Sequence, residues 1–168
     1  MKRILFLLCL LPIAARAGEP QLSGEYQKWQ TYHYAENGAP VCYAMTRATD
    51  TKDAKNHHLK IKSRGQVMIQ VTRRPSEGAN PAISFVAGQT IKAKTPVTLQ
   101  TDKAKFKLRG DGDTAWTENT AVDADIIKAL RTSKFLSVVH QDRKGAGVID
   151  VFSLKGAGNA LGAIEKCE

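Results

Sequence analysis

Short runs in which apolar and polar residues alternate recur along most of the chain. In the run 66–73, Val67, Ile69 and Val71 alternate with polar residues, which is typical of a strand that buries one face. Comparable runs between glycine, proline or aspartate residues predict further strands at 26–34, 41–47, 59–62, 83–86, 97–101, 104–109, 114–117, 136–141 and 148–154. The polar segments 18–25 and 50–58 are expected to form a loose N-terminus and a loop.

Two stretches near the C-terminal end have helical spacing instead. Asp123 fits the N-cap of the first, whose apolar face would contain Ile126, Ile127 and Leu130. The second runs from about Asn159 to Lys166, and Leu161 and Ile164 share a face that Cys167 continues. Many short strands with frequent turns and two short helices predict a mainly β fold, either a sandwich or a barrel.

The first seventeen residues have the three parts of a secretory signal peptide. Lys2 and Arg3 precede an apolar run at 4–13, and Ala15-Arg16-Ala17 supplies small residues where a signal peptidase cuts. The run is much shorter than the roughly 20 residues of a membrane-spanning helix, although a buried N-terminal helix is the alternative. We predict a signal peptide at 1–17, cleavage near Ala17, one domain at 18–168 and a periplasmic, envelope-associated or secreted location.

Composition limits the class of protein without giving an activity. The chain has 168 residues, 42% apolar and 24% charged, which is typical of one globular domain and not of a disordered chain. The net charge is +9, and it falls to +6 when the leader takes Lys2, Arg3 and Arg16 with it. Cys42 and Cys167 then remain, and in an oxidising compartment this pair predicts a structural disulfide. The alternative is a redox or nucleophilic cysteine, but the chain has no Cys-x-x-Cys motif.

Motifs for catalysis or cofactor binding are missing from the sequence. It contains no Gly-x-Ser-x-Gly elbow, no Walker loop and no dinucleotide fingerprint. The pair His57-His58 lacks the further ligands of a zinc site, and Asp111-Gly112-Asp113 fits a tight turn better than a calcium loop. We therefore predict no catalytic residue, no metal and no cofactor. Trp29 and Trp116 are interpreted as core residues, the alternative being a ligand-stacking pair.

Basic residues supply the one candidate site. Strand alternation places Lys103, Lys105, Lys107 and Arg109 on one face of a strand, and the apolar residues Ala104, Phe106 and Leu108 on the other. Lys60, Lys62 and Arg64 repeat the pattern. Such a face would attract an anionic lipid, an acidic glycan or an acidic protein. Nucleic acid is not expected, because no stacking aromatic interrupts the basic positions. The alternative is a solvated face that keeps the protein soluble.

Several segments together carry a family resemblance. The segment Ile69–Pro75 resembles the strand and Arg-Pro element of the invasion-associated locus B family of exported bacterial proteins. Other matching segments follow in the order of the family: Trp29, Val41-Cys42-Tyr43, Ser84–Gly88, Phe106–Leu108, Gly112–Trp116 and Asp150–Gly156, leading to Cys167.

The resemblance implies an immunoglobulin-like β-sandwich, a periplasmic or envelope location and a Cys42–Cys167 bridge. It implies no known catalytic residue. The leading expectation is therefore a non-enzymatic binding or accessory protein of the envelope, which would contact an anionic envelope or host-surface partner through its basic face. The alternative is a structural or stress-related envelope protein without a specific ligand.

Overall fold

A computed structural model of the chain describes residues 18–59, 64–78 and 80–167. The predicted signal peptide at 1–17, Lys60 and Lys62 lie outside the described residues. The described part contains ten strands, two α-helices and a 3₁₀ turn at Pro75–Glu77. The strands are β1 (Gln21–Tyr26), β2 (Trp29–Glu36), β3 (Ala39–Asp53), β4 (Met68–Arg73), β5 (Ala82–Val86), β6 (Val97–Thr101), β7 (Lys105–Asp111), β8 (Thr114–Trp116), β9 (Leu136–Gln141) and β10 (Gly147–Phe152), and the helices are α1 (Thr120–Thr132) and α2 (Ala157–Ile164).

Eight of the strands close into an antiparallel β-barrel. The order around the barrel is β3, β10, β9, β6, β7, β8, β5 and β4, and β4 pairs with β3 again. The hairpin of β1 and β2 lies outside this ring and pairs with the first half of β3. Since a closed ring leaves no strand of the barrel unpaired, the one free edge of this arrangement belongs to β1, among the residues described.

The expected immunoglobulin-like sandwich is wrong, whereas the mainly β class with two late helices is confirmed. Closure depends on two strands that each change partner along their length. The first half of β3 pairs with β2 and β4, and its second half pairs with β10. Likewise β7 pairs with β6 at Lys105–Leu108 and with β8 at Arg109–Asp111. The strand predicted at 41–47 ends before the second half of β3. The prediction therefore lacks the residues that pair β3 with β10 and close the barrel.

The two helices pack against each other and against β1, β2, β3 and β5. Asn119, and not Asp123, is the N-cap of α1: its side chain accepts a hydrogen bond from the Ala121 amide at 2.8 Å. Asp123 is buried in the first turn and accepts from the Ile83 amide (3.0 Å) and the Thr117 hydroxyl (2.6 Å). Gly156 begins α2 with φ +93°, and a Cβ there would overlap the Tyr26 carbonyl.

The polar N-terminal segment and the second tryptophan both differ from expectation. Residues 21–25, expected to be loose, belong to β1, because their backbone pairs with β2 across a tight turn. Trp29 is fully buried, as predicted, and its indole nitrogen donates to the Ser153 carbonyl. Trp116 is 37% exposed, so its assignment to the core is wrong. Alternation along the three-residue β8 turns Ala115 inward and Trp116 outward.

Cys42 and Cys167 form the predicted disulfide, with their Cα atoms 5.8 Å apart. The bridge joins the first half of β3 to the residue that follows the end of α2 by three positions, across a sequence separation of 125 residues. Cys167 is buried beside the helix that carries Leu161 and Ile164. The bridge therefore fastens the segment after the C-terminal helix to the first half of β3.

A buried ion pair lies inside the barrel, beside β3, β9 and β10. The two terminal guanidinium nitrogens of Arg64, Nη1 and Nη2, donate to the two carboxylate oxygens of Asp150 at 2.7 and 2.5 Å. The Thr51 hydroxyl donates to the same carboxylate at 2.7 Å, and His140 Nε2 approaches it at 3.1 Å. The Arg64 Nε also donates to the Ala87 carbonyl. Arg64, expected to continue the surface pattern of Lys60 and Lys62, is thus an internal residue with 4% of its side chain exposed.

These contacts decide the ionisation of Asp150. Burial alone would raise the pKa of its carboxyl, because a charge is poorly solvated inside the protein. The hydrogen bonds from His140 and Arg64, and the positive charge of Arg64, outweigh burial and hold the pKa below its usual range. The carboxylate therefore stays ionised at neutral pH and balances the guanidinium.

Replacing both cysteines, Cys42→Ser with Cys167→Ser, is expected to lower the free energy of unfolding by about 2–5 kcal/mol, because the open chain gains entropy when it unfolds. Urea denaturation followed by Trp29 fluorescence measures this. The reduced wild type should unfold at the midpoint of the double variant. An unchanged midpoint in both would contradict a stabilising role for the bridge.

Asp150→Asn is expected to cost about 3–5 kcal/mol of stability at neutral pH, because Arg64 is left buried without its counter-charge. Since the folded-state pKa is lowered, the contribution of Asp150 is present above the unfolded pKa of about 3.9 and is lost as pH falls through the folded value. Wild-type stability should therefore drop more steeply in acid than that of the variant. Urea denaturation between neutral and acidic pH measures both, with the exposed Asp125→Asn as control. Equal stability of Asp150→Asn and Asp125→Asn would refute the assignment.

Candidate functional site

The predicted alternation of basic and apolar residues on β7 is present in the structure. Lys105, Lys107 and Arg109 are exposed, Leu108 is buried and Phe106 is partly buried against the core. Lys103 is also exposed, in the turn that precedes the strand, where its amide hydrogen-bonds to the Thr101 hydroxyl. The four basic residues predicted for one face therefore do lie on the surface of one strand and its turn.

The neighbours of these lysines on the sheet are uncharged. Gln100 faces Lys105 and Thr98 faces Lys107 across the ladder to β6. Alternate residues on one strand lie about 7 Å apart, within the screening length of about 8 Å in physiological salt. Because the ion pairs between described residues do not engage Lys103, Lys105 or Lys107, the fields of the three charges add.

Arg109 differs from the three lysines. Its guanidinium donates to the Glu118 carboxylate at 2.9 Å, and both side chains are about two-thirds exposed. A pair this exposed contributes little stability, but the carboxylate offsets the charge that Arg109 presents to a partner. We therefore expect Arg109 to contribute less to anion binding than the three lysines. We call Lys103, Lys105 and Lys107 the lysine row.

One carboxylate organises the end of the lysine row. Asp102 accepts a hydrogen bond from the Lys134 amide at 2.8 Å and a longer one from the Phe135 amide at 3.4 Å. These bonds tie the connection between α1 and β9 to the turn between β6 and β7. The bond from Lys134 is the main reason that the pKa of Asp102 lies below its usual range, with smaller contributions from other amides and Lys103.

This tie brings two further residues to the site, which the sequence prediction did not include. Phe135 is 43% exposed and lines a shallow surface depression of about 380 Å³ together with Lys103 and Lys105. Lys134, beside it in the chain, is exposed as well. A signal for Phe135 does exist in the sequence: the alternation of 136–141, extended back by one residue, turns position 135 outward.

The other residues weighed for chemistry have structural partners. His57 and His58 lie 3.2 and 2.8 Å from the carboxylates of Asp53 and Asp50, on an exposed turn. Asp111 and Thr114 pair across the predicted tight turn, where Gly112 has φ +59°. Within the described ranges, no three histidine, cysteine or acidic side chains are grouped as metal ligands would be.

Comparison with known protein families identifies the family of the chain. The sequence model described as invasion associated locus B (IalB) protein matches residues 29–165. The chain belongs to this family. The match confirms the resemblance found in the sequence and extends from β2 to the end of the α2 region, so the lysine row and Phe135 both lie inside the family's domain. Neither the curated proteins nor the solved structures include a significant match to this invasion associated locus B chain.

None of the helices among the described residues has the length and apolar character needed to cross a bilayer.

The Asp102 contacts predict a specific titration. The Lys134 amide signal should shift with pH at a midpoint below about 3.9, the value of an ordinary aspartate, because the ionised carboxylate is the stabilised acceptor. A pH series of ¹H–¹⁵N NMR spectra measures this midpoint. In Asp102→Asn the shift should vanish. A midpoint at or above the ordinary value would show that Asp102 does not hold the turn.

Proposed function

We propose that the chain is an exported, non-enzymatic binding or accessory protein of the bacterial envelope, and that the lysine row contacts an anionic partner. The observation that carries this proposal is the row itself: three exposed lysines on one strand and its turn, with uncharged residues facing the two on the strand. An anionic lipid, an acidic glycan or an acidic protein would each be attracted by such a field.

Export is supported by two independent features. The first is the sequence pattern at 1–17, with basic residues, an apolar run and small residues before the cut near Ala17. The second is the disulfide between Cys42 and Cys167, because structural disulfides persist in oxidising compartments such as the periplasm. A periplasmic or outer-surface location would place the lysine row near the anionic lipids and glycans of the envelope.

The non-enzymatic part of the proposal is supported by how the acidic residues are used. General acid–base catalysis needs two titratable groups that converge in a cleft. Asp123 binds a backbone amide and a hydroxyl in the interior, and Asp102 binds two backbone amides. In a larger depression of about 500 Å³, Glu36 and Glu77 both pair with Arg74, at 3.0 and 3.7 Å. These carboxylates have structural partners in the folded protein.

Replacing the lysine row by glutamine (Lys103→Gln, Lys105→Gln, Lys107→Gln) is expected to weaken binding to anionic surfaces at least about tenfold, because each lysine close to such a surface contributes about 1 kcal/mol. The protein is purified after export with its disulfide formed. Binding to heparin, to lipopolysaccharide and to phosphatidylglycerol vesicles is measured over a salt series, since screening should weaken it.

The matched control replaces three exposed lysines elsewhere on the surface: Lys28→Gln, Lys55→Gln and Lys166→Gln. Both triple variants change the net charge equally, so only a local site distinguishes them. If the two variants bind alike, the lysine row is ordinary surface charge. The chain would then fit the alternative function, a structural or stress-related envelope protein without a ligand on this face.

A further inference from the structure

The outer surface of β10 and β9 carries apolar side chains, one strand away from the lysine row. Ile149 on β10 faces Val139 on β9, and both are partly exposed. Val151 is the next outward residue of β10, and Phe135 precedes β9 with 43% of its surface exposed. We call Phe135, Val139, Ile149 and Val151 the apolar strip. Its members point outward because Leu136, Val138 and Val148 alternate with them and are buried.

Lysines border the apolar strip on both sides. Across the sheet, Val139 faces Thr98, and Thr98 faces Lys107 of the lysine row. On the other side, Ile149 faces Lys52 of β3. Around Phe135 lie Lys103 and Lys105, which share its depression, and Lys134, which precedes it in the chain. Basic groups thus surround an apolar centre on one face of the barrel.

The acidic groups on this face are already engaged. Asp50 faces Val151 and is bound by His58 and by the Thr51 amide. Asp102 is bound by the amides of Lys134 and Phe135. The face therefore holds five lysines, at 52, 103, 105, 107 and 134, against these two carboxylates. Its net charge is positive, and it is complementary to an anionic surface.

We propose that this face docks on an anionic lipid bilayer, with Phe135 entering the headgroup region and the lysines contacting lipid phosphates. The proposal rests on the proposed function and names its partner. A soluble polyanion would use the lysines but would leave the apolar strip in water. A bilayer surface uses both, since apolar side chains enter the boundary between headgroups and acyl chains while lysine stems extend toward the phosphates.

The shape of the face agrees with an extended partner. The depression at Phe135 is shallow and open, and the strands around it form the continuous outer wall of the barrel. The face is built from paired strands, with Asp102 fixing the segment that presents Phe135. Docking therefore needs no rearrangement of the backbone.

The test compares a charge variant and an apolar variant on two anionic probes. The probes are heparin and vesicles of phosphatidylcholine with phosphatidylglycerol, and vesicles of phosphatidylcholine alone provide the uncharged reference. Phe135→Ala should weaken binding to the anionic vesicles about tenfold, because burial of a phenyl ring is lost, and should leave heparin binding unchanged. Substitution of the lysine row should weaken binding to both probes.

Leu22→Ala is the matched apolar control. Leu22 is 51% exposed on β1, outside the barrel, and should not affect binding to either probe. A second measurement places tryptophan at the contact: in Phe135→Trp, brominated lipids should quench fluorescence beyond the quenching in wild type, which contains Trp29 and Trp116. Thermal unfolding checks that each variant folds.

Each outcome separates the two proposals. If Phe135→Ala binds anionic vesicles like wild type, or if wild type binds heparin but not vesicles, bilayer docking is refuted. The proposal that the lysine row binds an anion is then unaffected. If the lysine-row variant binds both probes like wild type, the proposed function fails together with the docking. Extra quenching in Phe135→Trp, together with weaker vesicle binding and unchanged heparin binding in Phe135→Ala, supports docking.

Discussion

The buried pair of Arg64 and Asp150 constrains the side of the barrel that carries the candidate site. Two charges inside a protein cost several kcal/mol each in lost hydration, so they must face one another and find further hydrogen-bond partners. Thr51, His140 and the Ala87 carbonyl supply those partners from β3, β9 and the segment after β5. Asp150 and His140 must therefore point inward. Because side chains alternate along a strand, their neighbours Ile149, Val151 and Val139 must point outward. The outward direction of these three members of the apolar strip is thus a consequence of the internal ion pair.

Strands with mostly apolar inward residues could be predicted from the sequence, whereas the second half of β3 could not. The ranges predicted for β6 and β9 coincide with the observed strands, because the first two inward residues of each strand are apolar. In the second half of β3 the inward residue Thr51 is polar and bonds to Asp150, so the segment has the composition of a loop. Closure of the barrel depends on that segment. The strand pattern therefore left sandwich and barrel both open, and the sandwich was expected from the family resemblance.

The candidate site was predicted in its charges but not in its apolar part. Lys105 and Lys107 follow from alternation within one strand, which is local information. Phe135 and Lys134 reach the same surface through the Asp102 carboxylate, a contact between residues that are 32 and 33 positions apart. Likewise, the hydrogen bond that Asp123 accepts from the Ile83 amide spans 40 positions, so sequence reasoning took Asp123 for an N-cap. Arg64 was grouped with surface lysines because its partner Asp150 lies 86 positions away.

The disulfide bridge and the charged face lie on different sides of the fold. The Cys42–Cys167 bridge and both helices lie on the side of β1, β2, β3 and β5, while the lysine row and the apolar strip lie on the side of β6, β7, β9 and β10. A partner on the second side would meet a sheet surface already ordered by its ladders. The ordering cost of contact would then fall mainly on the lysine side chains, whose freedom is large. Lysines alone would attract any polyanion in the compartment. Only the apolar strip adds a contribution that depends on what kind of anionic surface is met, which makes it the part of the site able to give selectivity.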